Sequence, residues 1–253
     1  RIRKDYDRAY WAEFRQKFAQ NPWTQNGILL NWDSWDNGAG NSAGGTHLLD
    51  TSPGTPAGNS SKDDSAIVLG RTFTDPSVGI HITPVAKGGT APESWIDVQV
   101  NVGFFPGNVP PALQLAADST SVETNVTVTF TASASDANGD MLAYGWDFGD
   151  LTFGSNAPSA SKKWLAAGEY VVRCVVSDLK GGIASRFVVV SVGSPSTYRV
   201  TGRITNAVDQ PLEGVRIHNG MTGSGYRGTY TDSDGNYALV NLAASSYNLA
   251  AIK

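Results

Sequence analysis

The chain has 253 residues, enough for two or three domains, and carries a formal net charge of -4. With 28 Gly, 12 Pro and only 17% charged residues, it favours short strands joined by turns over long helices. The charge has the wrong sign for a nucleic-acid partner, and no apolar run approaches the length of a membrane span.

Arg1, Arg3, Lys4 and Arg8, tempered by Asp5 and Asp7, read as a solvated connector. The first residue is Arg, and the chain reads as a processed piece of something larger. Tyr6, Tyr10, Phe14 and Phe18 recur at helical spacing, while Trp11, Glu13 and Arg15 against Tyr10, Ala12 and Phe14 suit a strand; the pattern leaves both open. Asp33 and Asp36 stand between Trp32, Trp35 and a glycine-rich stretch, where a paired acid and base, a carbohydrate-facing patch and plain solvated carboxylates all fit. Asn59-Ser-Ser and Asn125-Val-Thr fit the glycosylation sequon. From Trp95 to Val102 strict alternation sets Trp95, Asp97, Gln99 and Asn101 against Ile96, Val98, Val100 and Val102, predicting a half-buried strand. Phe105-Pro-Gly-Asn-Val-Pro-Pro111 then forces extended backbone and marks a boundary.

Strands are predicted at 121–132, 141–148, 168–178 and 184–192, an even spacing that argues a β-sandwich. Trp146 and Tyr144 share one face, and Trp146 is expected in the core. Cys174 is the single cysteine, so no intramolecular disulfide can form, and its alternating run predicts a buried thiol. Asp136, Asn138 and Asp140 place oxygen donors at alternate positions around Gly139, a spacing that suits calcium but lacks the downstream bidentate Glu of an EF-hand, the ordinary reading being a turn whose side chains bond their own backbone. Asp147 and Asp150 could complete a calcium site only if the chain folds back over it. After a linker at 193–197 a third unit begins; its Asp232, Asp234 and Asn236 repeat the alternation, which a hairpin turn explains. His47, His81 and His218 are far apart, and no H-E-x-x-H occurs, so the chain itself offers no zinc site.

Three resemblances follow from longer runs. Tyr10-Trp-Ala-Glu-Phe-Arg15, Gly27-Ile-Leu-Leu-Asn-Trp32, His47-Leu-Leu-Asp-Thr-Ser-Pro-Gly54, Leu69-Gly-Arg-Thr-Phe-Thr-Asp75 and Gly79-Ile-His-Ile-Thr83 resemble, in order and spacing, the region after the zinc site of gametolysin-like and immune-inhibitor-like metallopeptidases. That resemblance implies β-structure, and tips the N-terminal segment towards a strand. The run Ser135-Asp-Ala-Asn-Gly-Asp-Met-Leu-Ala-Tyr-Gly-Trp-Asp-Phe-Gly-Asp150, with Pro110-Pro111 and Gly168-Glu-Tyr-Val-Val172, resembles the PKD repeat, an extracellular β-sandwich. It departs from that pattern where Leu151 replaces a glycine, which implies one reshaped loop. Val200-Thr-Gly-Arg-Ile204, Gln210-Pro-Leu-Glu-Gly-Val-Arg-Ile217 and Thr229-Tyr-Thr-Asp-Ser-Asp-Gly-Asn-Tyr-Ala-Leu239 resemble the carboxypeptidase-regulatory-like or Cna-B-like sandwich, with Tyr237 and Leu239 expected to turn inward.

Together these readings predict an all-β chain of three consecutive β-sandwich (immunoglobulin-like) domains over residues 1–105, 106–193 and 197–253, the third lacking a closing strand. The function implied is a non-catalytic spacer, anchoring or binding region of a secreted metallopeptidase-like protein, with calcium as its one candidate cofactor. Expected partners are an extracellular protein or polysaccharide, or another copy of the chain. The competing expectation is a structural subunit of an extracellular filament or surface assembly, joined by edge-strand pairing.

Overall fold

In the computed structural model residues 1–5, 8–16, 21–34, 47–52 and 63–253 are described. The first group of elements is β1 (Ile2–Arg3), β2 (Arg8–Glu13), the single-turn helix α1 (Pro22–Gln25), β3 (Gly27–Ser34), β4 (His47–Leu48), β5 (Ile67–Val68), β6 (Phe73–Asp75), β7 (Ile80–Gly88) and β8 (Trp95–Val102). They form one sheet in the order β1-β2-β3-β4, with β5 also on β3, and a second in the order β6-β7-β8. Tyr10, Ile28, Leu30, Ile67, Ile80 and Ile82 fill the space between. The N-terminal ambiguity resolves as a strand because β1 and β3 flank β2 and take up its backbone hydrogen bonds. Tyr6 and Phe18, the outer members of the helical spacing, lie outside the described residues. Tyr10 points inward, packs edge-on to Phe73 at 5.5 Å, and donates its hydroxyl to Asp75 Oδ2 at 2.6 Å. Burial alone would raise the Asp75 carboxyl, but hydrogen bonds from Ser77, Tyr10 and Lys4 hold it well below the usual range.

The apolar face expected of β8 is only half covered. Ile96 and Val98 pack on the core, whereas Val100 and Val102 are 37% and 67% exposed, beyond the reach of the opposing sheet.

The middle group is β9 (Ala112–Ala117), β10 (Ser121–Val122), β11 (Thr127–Ser135), β12 (Ala143–Asp147), β13 (Ser159–Lys163), β14 (Gly168–Ser177) and β15 (Ile183–Val192). Its sheets run β10-β15-β14-β12 and β13-β11-β9. The single strand expected over 121–132 is two. Asn125 takes a left-handed φ of 64°, and the chain crosses from β15, which β10 pairs in parallel, to the opposite sheet. Phe130 centres the core, meeting Trp164 edge-on at 6.3 Å and lying 6.2 Å from Trp146. Trp146 is 1% exposed and donates Nε1 to the Ala157 carbonyl at 2.8 Å, so its one polar atom is satisfied. A Cβ on Gly154 would stand 2.9 Å from the Trp146 Cβ, so only glycine lets that loop close over the indole. Cys174 is buried in the same core, and burial pushes its thiol up to about 12, which leaves it un-ionised and unreactive.

The third group is β16 (Tyr198–Arg203), β17 (Arg216–His218), β18 (Gly228–Tyr230), β19 (Asn236–Leu242) and β20 (Ala250–Ile252), in sheets β16-β19 and β18-β17-β20. Gly235, at φ 77°, makes the expected turn before β19, and Leu239 is buried. Tyr237 is half-buried and lies across Gly202. The fold is therefore all-β, and the described residues form three successive sandwich-like sheet pairs.

Two stability measurements follow. Trp146→Ala should cost about 3–5 kcal/mol, because it empties a filled core and orphans the Ala157 carbonyl; an unchanged melting temperature would contradict the burial. Leu151, at the glycine position of the resembling pattern, adopts the left-handed conformation with φ 64° while its side chain is 56% exposed, so the loop carries strain there. Leu151→Gly should then stabilise the chain by about 1 kcal/mol, the left-handed penalty less the extra freedom of unfolded glycine, read as a rise in melting temperature.

Candidate functional site

The loop before β12 and the seams between the sheet pairs hold the polar groups that chemistry or recognition could use. In the loop, Asp136 Oδ1 accepts from the backbone N–H of Asn138 at 2.8 Å and of Asp140 at 3.0 Å. Those bonds are the self-bonded turn that competes with calcium for the same spacing. Asn138 faces away from the loop centre, its Oδ1 accepting from Val109 N at 2.8 Å and its Nδ2 donating to the Gly107 carbonyl at 3.3 Å. Asp140 Oδ1 pairs with the Lys180 ammonium. Two oxygens are left over: Asp136 Oδ2 and Asp140 Oδ2 are both enclosed and without a hydrogen-bond partner. Asp147 and Asp150 do not join this loop. The length of β12 separates them from it; Asp147 accepts from Gly149 N, while Asp150 bonds Thr152 and pairs with Lys162 at 2.7 Å.

At the seam between the first and middle sheet pairs, Thr72 Oγ1 meets Ser177 Oγ at 2.6 Å, Asn101 Nδ2 donates to the Leu179 carbonyl at 2.8 Å, and Asn156 Nδ2 donates to the Val85 carbonyl at 3.0 Å. Gly70, at φ 81°, makes the closest approach, since a Cβ there would stand 1.9 Å from the Tyr144 carbonyl oxygen. His81 is buried beside this seam, 5.6 Å from the Phe105 ring and against Gly181. Burial lowers its pKa, against the Gly103 backbone and the Asp178 charge, so it packs there as neutral imidazole.

The seam between the middle and third pairs is closed in the same way. Ser185 N donates to Ser233 Oγ at 2.8 Å, Ser233 N returns a bond to the Ser185 carbonyl at 3.2 Å, and Asn241 bonds both the N–H and the carbonyl of Glu169 at 3.0 and 2.7 Å. Arg186 Nη2 reaches Asp234 Oδ1 at 2.9 Å. Where all three pairs converge, Asp147 feels both Arg71 of the first and Arg173 of its own sheet, and Arg173 donates to the Tyr230 carbonyl of the third at 2.6 Å. Crowding by protein pushes the Asp147 carboxyl up, opposed by the Gly149 N–H and by the charges of Arg173 and Arg71.

His47, His81 and His218 sit on three different sheets, and among the described residues no group of three His, Cys, Asp or Glu side chains is placed to hold a metal ion. Asp232 Oδ1 accepts from Asp234 N and Asn236 N, the hairpin turn expected of it. The Asp33 side chain, Trp35, Asp36 and Asn59 lie outside the described residues. Asn125 of the second sequon is exposed. The seam residues Arg71, Asn156, Ser185 and Asn241 carry no sequence signal, because each acts on a partner more than 18 positions away.

Residues 108–192 match the family model of the PKD domain. The chain is 34% identical over 105 residues to collagenase ColA of Clostridium perfringens, a match covering 42% of this chain and 9% of that protein; the chain thus spans a small fraction of that relative's length. Among solved structures it is similar to the PKD domain of an M14-like peptidase from a Thermoplasmatales archaeon (23% identity, 35% of this chain and 100% of that one, TM-score 0.32). It is also similar to the PKD1 domain of Vibrio anguillarum Epp (25% identity, 35% and 99%, TM-score 0.30). A third likeness is to promiscuous carbohydrate-binding modules of the β-sandwich superfamily (15% identity, 57% and 90%, TM-score 0.33). No helix among the described residues is long and apolar enough to cross a membrane. The residues that match the PKD domain, 108–192, are those of the sheet pair around Trp146.

Proposed function

We propose that this chain is a stiff, non-catalytic spacer and binding region of a secreted, extracellular metallopeptidase-like protein. The observation that carries the spacer reading is the pairing of polar groups across both seams, which fixes the angle between neighbouring sheet pairs where a tether would leave it free. Support for the parent comes from the PKD domain, from the similarity to a collagenase, and from the metallopeptidase-like runs, four of which fall on β2, β3, β6 and β7 around the first core. A peptidase tethered through such a region would hold its catalytic part at a set distance and orientation from whatever the region contacts.

Calcium at the Asp136–Asp140 loop is a second reading, favoured by the two enclosed, unpartnered oxygens Asp136 Oδ2 and Asp140 Oδ2. A hard divalent cation would satisfy both, and Lys180 would have to yield part of its contact with Asp140.

Small-angle scattering of the pure chain tests the spacer. One fixed elongation should fit the data, and Gly70→Ala, which drives a methyl into the Tyr144 carbonyl, should increase the radius of gyration; Asn156→Ala serves if the first variant folds poorly. Wild-type scattering that requires freely hinged units would sink the idea. Calcium at a hundredfold excess over its dissociation constant should stabilise the chain by about 2.7 kcal/mol. Asp136→Asn should abolish that gain, and a melting temperature indifferent to millimolar calcium would rule the cation out.

A further inference from the structure

The middle and third sheet pairs enclose a groove of about 1050 Å³ that none of the seam contacts fills. One wall is β9, the last strand of its sheet, which among the described residues pairs with β11 alone. Its free side can be worked out from one hydrogen bond. Asp118 N donates to the Thr129 carbonyl of β11, so by the two-residue alternation of an antiparallel pair Ala116, Gln114 and Ala112 also face β11. Leu113, Leu115 and Ala117 therefore direct their N–H and C=O groups towards the open edge. Such a row is a template for another strand unless something blunts it. Nothing in β9 does: it holds no proline, no charge and no bulge.

The rest of the groove says what it would accept. Ala112, Ser133, Ala134 and Ala184 line its small-residue part, with Pro110, Pro111 and Ile183 beside them, so a second backbone can approach closely over the alanines and serine. At its far end stand Arg186, Glu213 and Asp234. Arg186 is engaged by Asp234, and Glu213 takes the Ser185 hydroxyl on Oε1 at 2.6 Å, so acids exceed bases by one at that end. The groove is also continuous with the seam at which Ser233, in the turn before β19, exchanges hydrogen bonds with the backbone of Ser185 on the facing strand β15.

We propose that the β9 groove binds an extended polypeptide segment of another protein, which adds as a strand to Leu113–Ala117 and sets a lysine or arginine against Glu213 and Asp234. The main chain supplies affinity, and the acidic end supplies polarity and a preference for basic segments. The proposal rests on the reading of this region as a binding region, and it names the class of partner. Its test is independent of the scattering experiment, since a stiff spacer can lack this groove's ligand.

The probe is a fluorescent ten-residue peptide of alternating threonine and valine with one central lysine, compared by polarisation with its lysine-to-alanine form and with a form N-methylated at alternate residues. Saturable binding is expected for the first. N-methylation, which removes five backbone donors, about two or three of them facing Leu113–Ala117, should weaken it by at least about tenfold. Glu213→Gln should lower affinity for the lysine peptide and leave the alanine peptide unchanged. Ser133→Arg, an exposed position in the groove, should abolish binding with the melting temperature retained; Ser135→Arg replaces it if folding suffers. No binding of the unmethylated peptide, equal binding of the N-methylated one, or self-association of the chain that Ser133→Arg abolishes would each overturn the proposal, the last in favour of a second copy as occupant.

Discussion

Everything beyond the individual cores depends on how the polar groups between sheet pairs are satisfied. Backbone and amide groups brought together where two sandwiches meet lose water and must find partners. Here they find each other: Asn156 holds the Val85 carbonyl while its own Oδ1 accepts Tyr144 N, and Asn241 holds both backbone groups of Glu169. Each side chain bonds two segments at once, so shifting one sheet pair against another would break several hydrogen bonds together. Individually such bonds are worth about 1 kcal/mol, but their geometry removes alternatives that a hydrophobic contact would tolerate.

Close approach is the condition for that pairing. Gly70 lies so near the Tyr144 carbonyl that no side chain fits, and its left-handed backbone turns the chain out of β5 into the seam. Arg71 follows immediately and donates to Ser52 and to the Thr51 carbonyl while its charge acts on Asp147. One glycine and the arginine after it thus link the first core to the edge of the second.

Where the edges are not closed, recognition becomes available. β15 receives Ser233 at Ser185, whereas β9, the strand facing it, keeps its outer row open beside an acidic rim. The loop of Asp136 and Asp140 keeps two enclosed oxygens unpaired, in the same domain as the unpartnered Trp164 Nε1 and Glu169 Oε2. Among the described residues both of these places lie in or beside the stretch 108–192 that matches the PKD domain.

The sequence by itself determined the local terms. Alternation placed β8, β12, β14 and β15 within a residue or two of their observed ends, put Trp146 and Cys174 in a core, and identified the turns at Asp136–Asp140 and Asp232–Asn236. Those features depend on neighbours two to four positions apart, which a linear pattern records. Tertiary structure decided the rest. Tyr10 fits a helix as well as a strand until β1 and β3 flank it, and Val100 and Val102 read as buried although the fold leaves them exposed. β9 and β13, rich in alanine and serine, carry too little hydrophobic contrast to read as strands, so the open edge was invisible beforehand. The seams are least legible of all: Asn156 to Val85, Asn101 to Leu179 and Asn241 to Glu169 span some 70 to 80 positions, and a hydrogen bond between distant segments leaves no periodicity in either.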